Sequence, residues 1–181
     1  MLTFIVRVGT PAQTFRVLPS TTGQETWIPV PEGCPFSDTA NCADLREVYP
    51  FQGVQSGVQY NVSWTWKNIG LYDLVLERNL NYTGNGLFGL NKVGTMVDGG
   101  VLLEQQVIAG IATKNFFMSV LGLGPKPSNF SDFEHPQPSF LTGLKNENKI
   151  PSLSFACTAG APYNCLDESL DMLNLVTSLT A

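Results

Sequence analysis

The chain has 181 residues and a formal charge of -5, its 15 acidic and 10 basic side chains being dispersed along the length. A composition of 43% apolar and 14% charged residues fits one globular domain that buries about 70% of the surface its unfolded chain exposes. Scattered basic residues leave no footprint for phosphate backbones, which excludes nucleic acid as an expected partner, and no apolar run of about 18 residues is present to span a bilayer as a helix.

Apolar and polar residues alternate from Leu2 to Val8, too briefly for a signal sequence, so the chain opens inside a strand and any secretion signal is expected upstream. Gly9-Thr10-Pro11-Ala12-Gln13 breaks the alternation, and Thr14 to Leu18 resumes it, which predicts a hairpin. Pro19 to Gly23 has turn chemistry, and Thr26 to Pro31 reads as a short strand ended by its prolines. Tyr60, Val62, Trp64 and Trp66 recur at every second position, which predicts a strand with an aromatic face directed into the core. Leu71 to Leu76 and Val101 to Ile111 are further strands, separated by Asn and Gly clusters that read as turns. Ser139 before Phe140, Leu141 and Leu144, with Pro151 beyond, predicts one short helix, and Ser152 to Cys157 predicts a strand after it. With 17 glycines and 12 prolines spread throughout, the fold class is mainly β with one or two short helices.

Four cysteines form two equally spaced pairs, Cys34 with Cys42 and Cys157 with Cys165, which suits disulfides in an oxidising compartment. Zinc competes for such pairs, but no CxxC occurs and the single histidine is His135, so neither a metal nor another cofactor is expected. Asn61-Val62-Ser63, Asn81-Tyr82-Thr83 and Asn129-Phe130-Ser131 match the N-glycosylation acceptor sequence, and an extracellular or cell-surface setting is the expectation.

The run from Val8 to Leu18 is similar to the first hairpin of pepsin-like aspartic proteases, in which a Gly-Thr-Pro turn precedes an Asp-Thr-Gly-Ser loop. In that family a tryptophan stands seven residues after the aspartate and a proline two residues later. Trp27 and Pro29 fill those places, which puts Ser20 at the aspartate position and Thr21, Thr22 and Gly23 in the rest of the motif. Phe117 to Gly124 resembles the family's Phe-Asp-Gly-Ile-Leu-Gly-Leu segment, which threads behind the active-site loop. Pro138 to Leu141 and Pro151 to Phe155 resemble the following helix and strand, and Trp64, Trp66 and Gly70-Leu71-Tyr72 resemble a fungal secreted subgroup. The likeness spans residues 3 to 163 and implies a pepsin-like half-barrel, a single amino-terminal lobe over residues 1–163. Residues 164–181 follow as an unrelated tail, in which Leu166, Leu170, Leu173 and Leu175 suggest a helix.

Two aspartates, one from each lobe, share a proton in that family, because like charges so close cannot both ionise. Ser20 has no such proton to share, and the second lobe is missing, so the resemblance implies an inactive protease-like lobe with no catalytic residue. Its remaining role is to bind a peptide, protein or polysaccharide in the former cleft, and the face left by the missing lobe can self-associate. Tyr82 is the nearest relic of the flap tyrosine, although counting back from Val93 puts Asn79 at that position. The rival reading is a fragment of a working aspartic endopeptidase, with Asp38 and Asp44 weighed as the acids downstream of Ser20 that could take over. A serine-hydrolase reading lacks the Gly-x-Ser-x-Gly elbow around Ser20, and Gly122-Leu123-Gly124-Pro125 is only a fragment of a phosphate loop.

Overall fold

Strand β1 (Phe4–Val8) turns Phe4, Val6 and Val8 inward and Ile5 and Arg7 outward, as its alternation dictates. It belongs to a computed structural model that describes residues 3–29, 50–51, 54–55, 63–74, 84–95, 100–111, 118–128, 130 and 134–155. After a four-residue turn, β2 (Gln13–Ser20) returns antiparallel to β1 with Val6 opposite Phe15. The remaining strands are β3 (Trp27–Pro29), β4 (Pro50–Phe51), β5 (Val54–Gln55), β6 (Lys67–Leu74), β7 (Gly84–Thr95), β8 (Leu102–Ile111) and β9 (Ser119–Gly122). The order β1-β2-β9-β3-β8-β7 closes on itself because β7 also pairs with β1, and the result is a six-stranded barrel with β6 hydrogen-bonded to β7 outside the ring. Strands β4 and β5 form a separate two-stranded ribbon.

The barrel is filled from several strands at once: Phe4, Val6, Val8, Phe15, Val17, Ile28, Val93, Leu103, Ile108 and Leu121 make one contiguous core. Helix α1 (Phe140–Asn146) covers its end, with Phe140, Leu141 and Leu144 buried against that core and Ser139 as N-cap accepting from the Thr142 N–H. Each fully buried side chain of this size contributes about 1.5–3 kcal/mol, which is what holds so short a helix in place. Among the described residues no helix is long and apolar enough to cross a membrane.

Three expectations are corrected. Trp64 does not lie on a buried strand face: Ser63–Thr65 form a turn that leaves Trp64 87% exposed, while Trp66 packs on the core, and Tyr60 and Val62 lie outside the described residues. Within the Gly- and Asn-rich stretch read as turns, Gly84–Thr95 form β7, the longest of the described strands, whose glycines give room to neighbouring side chains; a Cβ on Gly89 would stand 2.8 Å from the Trp66 ring. Residues 151–155 form no strand: Pro151 lacks an N–H to offer a ladder, and Leu153 is exposed while Phe155 folds back on the core.

The 63–65 turn is tied to the first hairpin by Asn91, which is fully buried on β7. Its Oδ1 accepts from Thr65 Oγ1 at 2.6 Å, the Lys92 N–H at 2.9 Å and Ser63 Oγ at 3.1 Å. Ser63 Oγ in turn accepts from the Thr10 N–H at 2.9 Å, and Thr10 O accepts from the Trp64 N–H at 3.0 Å. Replacing the amide strands three donors at once, so Asn91→Ala is expected to lose about 3 kcal/mol, read from urea midpoints. A loss below about 1 kcal/mol would show that the knot does not hold the turn.

Candidate functional site

Of the residues singled out by sequence, Ser20 is the last residue of β2, and Thr21, Thr22 and Gly23 open the loop that connects it to β3. The loop exists because β9 lies between the two strands it joins. Strand β2 runs parallel to β9, with Pro19 opposite Leu121 and Ser20 opposite Gly122, whereas β3 runs antiparallel to β9 at Trp27 and Val120. The chain must therefore cross the end of β9 on its way from Ser20 to Trp27.

That crossing is a backbone-on-backbone contact. Leu123 N donates to Ser20 O at 2.9 Å, Gly124 N to Gly23 O at 2.8 Å, and Gly122 N to the buried Thr26 hydroxyl at 3.3 Å. Thr26 O accepts from Ala109 N of β8 at 3.1 Å, which fixes the loop's exit. Gly122 is required by proximity: a Cβ there would stand 2.4 Å from the Gln24 carbonyl carbon and 2.6 Å from both Glu25 N and O.

Ser20 is half buried, and its Oγ accepts from the Gly23 N–H at 3.0 Å, so the hydroxyl folds back into its own loop. Thr21 and Thr22 are exposed beyond it. Glu25, which sequence reasoning passed over in favour of more distant acids, lies in the same loop, half buried, and burial raises its carboxyl above the ordinary glutamate value. An acid five residues after the loop apex and two before Trp27 was the available signal. Among the described residues the loop offers hydroxyls and the Glu25 carboxyl; it can bind through hydrogen bonds, and the group there able to transfer a proton is Glu25. Among the described residues no cluster of three His, Cys, Asp or Glu could hold a metal ion.

Tyr82, Asn79, the acids Asp38 and Asp44, the acceptors Asn61, Asn81 and Asn129, the cysteines Cys34, Cys42, Cys157 and Cys165, and the tail 164–181 lie outside the described residues. His135 is exposed in the segment before α1. Comparison with protein-family models finds no match to the chain, and comparison with curated proteins finds none either.

Two predictions follow from the loop's construction. Gly122→Ala is expected to cost several times more stability than Ser20→Ala, about 3 kcal/mol or more against about 1 kcal/mol, because the first pushes backbone against backbone and the second removes one hydrogen bond. Equal losses in denaturant titrations would contradict the threading. Glu25 binds its proton more tightly folded than unfolded, so its contribution is complete below the ordinary glutamate value and is lost as pH rises through the raised one. Glu25→Gln should flatten that decline, measured as unfolding midpoints at about pH 4 and about pH 7; an unchanged decline would show that Glu25 does not cause it.

Proposed function

We propose that the chain is a non-catalytic, aspartic-protease-like single lobe that binds a protein or polysaccharide outside the cell through the face carrying the 20–26 loop. The observation that carries the reading is Ser20. Where a pepsin-type site requires a proton-sharing carboxyl at the loop apex, this chain presents a hydroxyl that already accepts the Gly23 N–H. An alcohol keeps its proton throughout the working range of such enzymes and cannot trade it with substrate or water, and the general acid-base assistance so forfeited is worth about 10²- to 10⁴-fold.

The surrounding framework supports the same reading. Strand β9 occupies the slot between β2 and β3, Leu121 and Leu123 are fully buried behind the loop, and glycine stands where the two backbones touch. These features would suit a platform that displays a carboxyl, and the loop departs from the family's motif at Ser20, Thr22 and Gly23. The extracellular setting rests on the three acceptor sequences and the paired cysteines in the sequence.

One observation favours the rival reading, a fragment of an active aspartic endopeptidase: Glu25 is a partly desolvated acid in the loop itself. Incubation of the purified chain with unstructured peptides at acid pH separates the two. The binding reading expects no turnover, saturable binding of a peptide or oligosaccharide that competes with a pepsin-type transition-state analogue, and loss of that binding when Thr22 is made bulky. Turnover that disappears in Glu25→Gln would establish the rival and overturn the proposal.

A further inference from the structure

At the opposite end of β2 from Ser20, roughly 23 Å away at about 3.3 Å per residue, a cleft of about 230 Å³ opens on the outside of the barrel. Arg7, Gly9, Thr10, Ala12, Lys92 and Leu102 line it. Arg7 reaches it from β1, Lys92 from β7 and Leu102 from β8, while Gly9, Thr10 and Ala12 belong to the turn that the Asn91 knot holds still.

The two cations in this cleft are not equivalent. Lys92 Nζ meets Glu104 Oε2 at 2.7 Å, so its charge is already answered. Arg7 is half buried, and its Nε is shielded from solvent with no acceptor among the described residues. The guanidinium lies across β7 over the bare backbone of Gly94, where a Cβ would stand 3.4 Å from Nη2 and 3.2 Å from Leu102 Cδ1. The recess thus opens beside a cation whose hydrogen-bonding capacity is not filled among the described residues, on a chain of net charge -5.

We propose that this cleft binds a carboxylate of a polypeptide partner, supplied by an acidic side chain or by a free C-terminus. Charge balance among the described residues selects a monoanion: Arg7 and Lys92 bring two positive charges and Glu104 removes one, which matches a carboxylate better than a phosphate dianion. Shape agrees, since a guanidinium offers parallel N–H donors to the two oxygens of a carboxylate. The volume falls below that of ordinary small-molecule pockets, about 300–1,000 Å³, and suits a single side chain, with Leu102 and Ala12 as apolar walls for its methylenes. The site stands apart from the 20–26 loop, and either reading can fail without the other.

The test titrates the full chain, followed by amide NMR, with acetyl-glutamyl-amide for a side-chain carboxylate, acetyl-leucine for a terminal one, and inorganic phosphate, all at constant ionic strength. The expected result is saturable shifts at Gly9, Thr10, Gly94 and Leu102 with at least one carboxylate, the tighter of the two naming the source. Arg7→Gln should weaken that binding about tenfold or more, and Arg7→Lys, which keeps charge but not the fork, by less. Glu104→Gln alters an exposed residue and raises the local charge, so it should tighten carboxylate binding about threefold; it carries the test if Arg7→Gln does not fold. Unsaturated shifts with both carboxylates, phosphate binding as tightly as either, or indifference to both the Arg7 and the Glu104 changes would overturn the proposal.

Discussion

Two stretches of backbone touch where the segment from Gln24 to Glu25 crosses Gly122, and the geometry of the 20–26 loop follows from that contact. A side chain at the crossing would push the loop away from β9, and with it the hydrogen bonds that Leu123 and Gly124 give to Ser20 and Gly23. The loop is therefore shaped from behind, by main-chain donors that do not depend on which residue stands at its apex. The remaining donor at the turn, the Gly23 N–H, is satisfied by Ser20 Oγ.

The other end of β2 is built from side chains instead. Asn91 gathers Ser63 and Thr65 against Thr10, and their mutual satisfaction allows a polar group to sit at full burial. The consequence is a rigid first turn, and rigidity there is what gives the neighbouring recess a fixed shape. Arg7 contrasts with Asn91 in one respect: the amide oxygen has three donors, whereas the guanidinium Nε has no acceptor among the described residues.

Much of the β architecture was legible because its signals are local. Alternation marked β1 and β2, branched residues marked β8, and Ser139 with its following apolar triplet marked α1. The stretch that became β7 was not, since Gly-Asn-Gly and Gly-Leu-Asn carry turn propensity and only tertiary packing makes them extended. There glycines accommodate Trp66 from the segment before β6 and Arg7 from β1, a reason no local window contains. The aromatic alternation before β6 misled for the converse reason: Ser63 and Thr65, the polar residues between the aromatics, take part in a long-range hydrogen-bond knot that overrides period-two patterning and turns Trp64 outward. Ser20 was found by counting from Trp27, but Glu25 in the same loop was not, because its significance lies in burial rather than in sequence. The cleft at Arg7 was invisible for a similar reason, being assembled from three strands.

The insertion of β9 between β2 and β3 also orders events during synthesis. Strands β2 and β3 are complete by Pro29, yet the strand that must separate them begins only at Ser119. At ribosomal speeds of roughly 5–20 residues per second, the nascent polypeptide waits roughly 5–20 seconds with that slot vacant. During this interval the facing edges of β2 and β3 are open to any extended segment that passes, and correct assembly depends on keeping the gap free until its own occupant emerges.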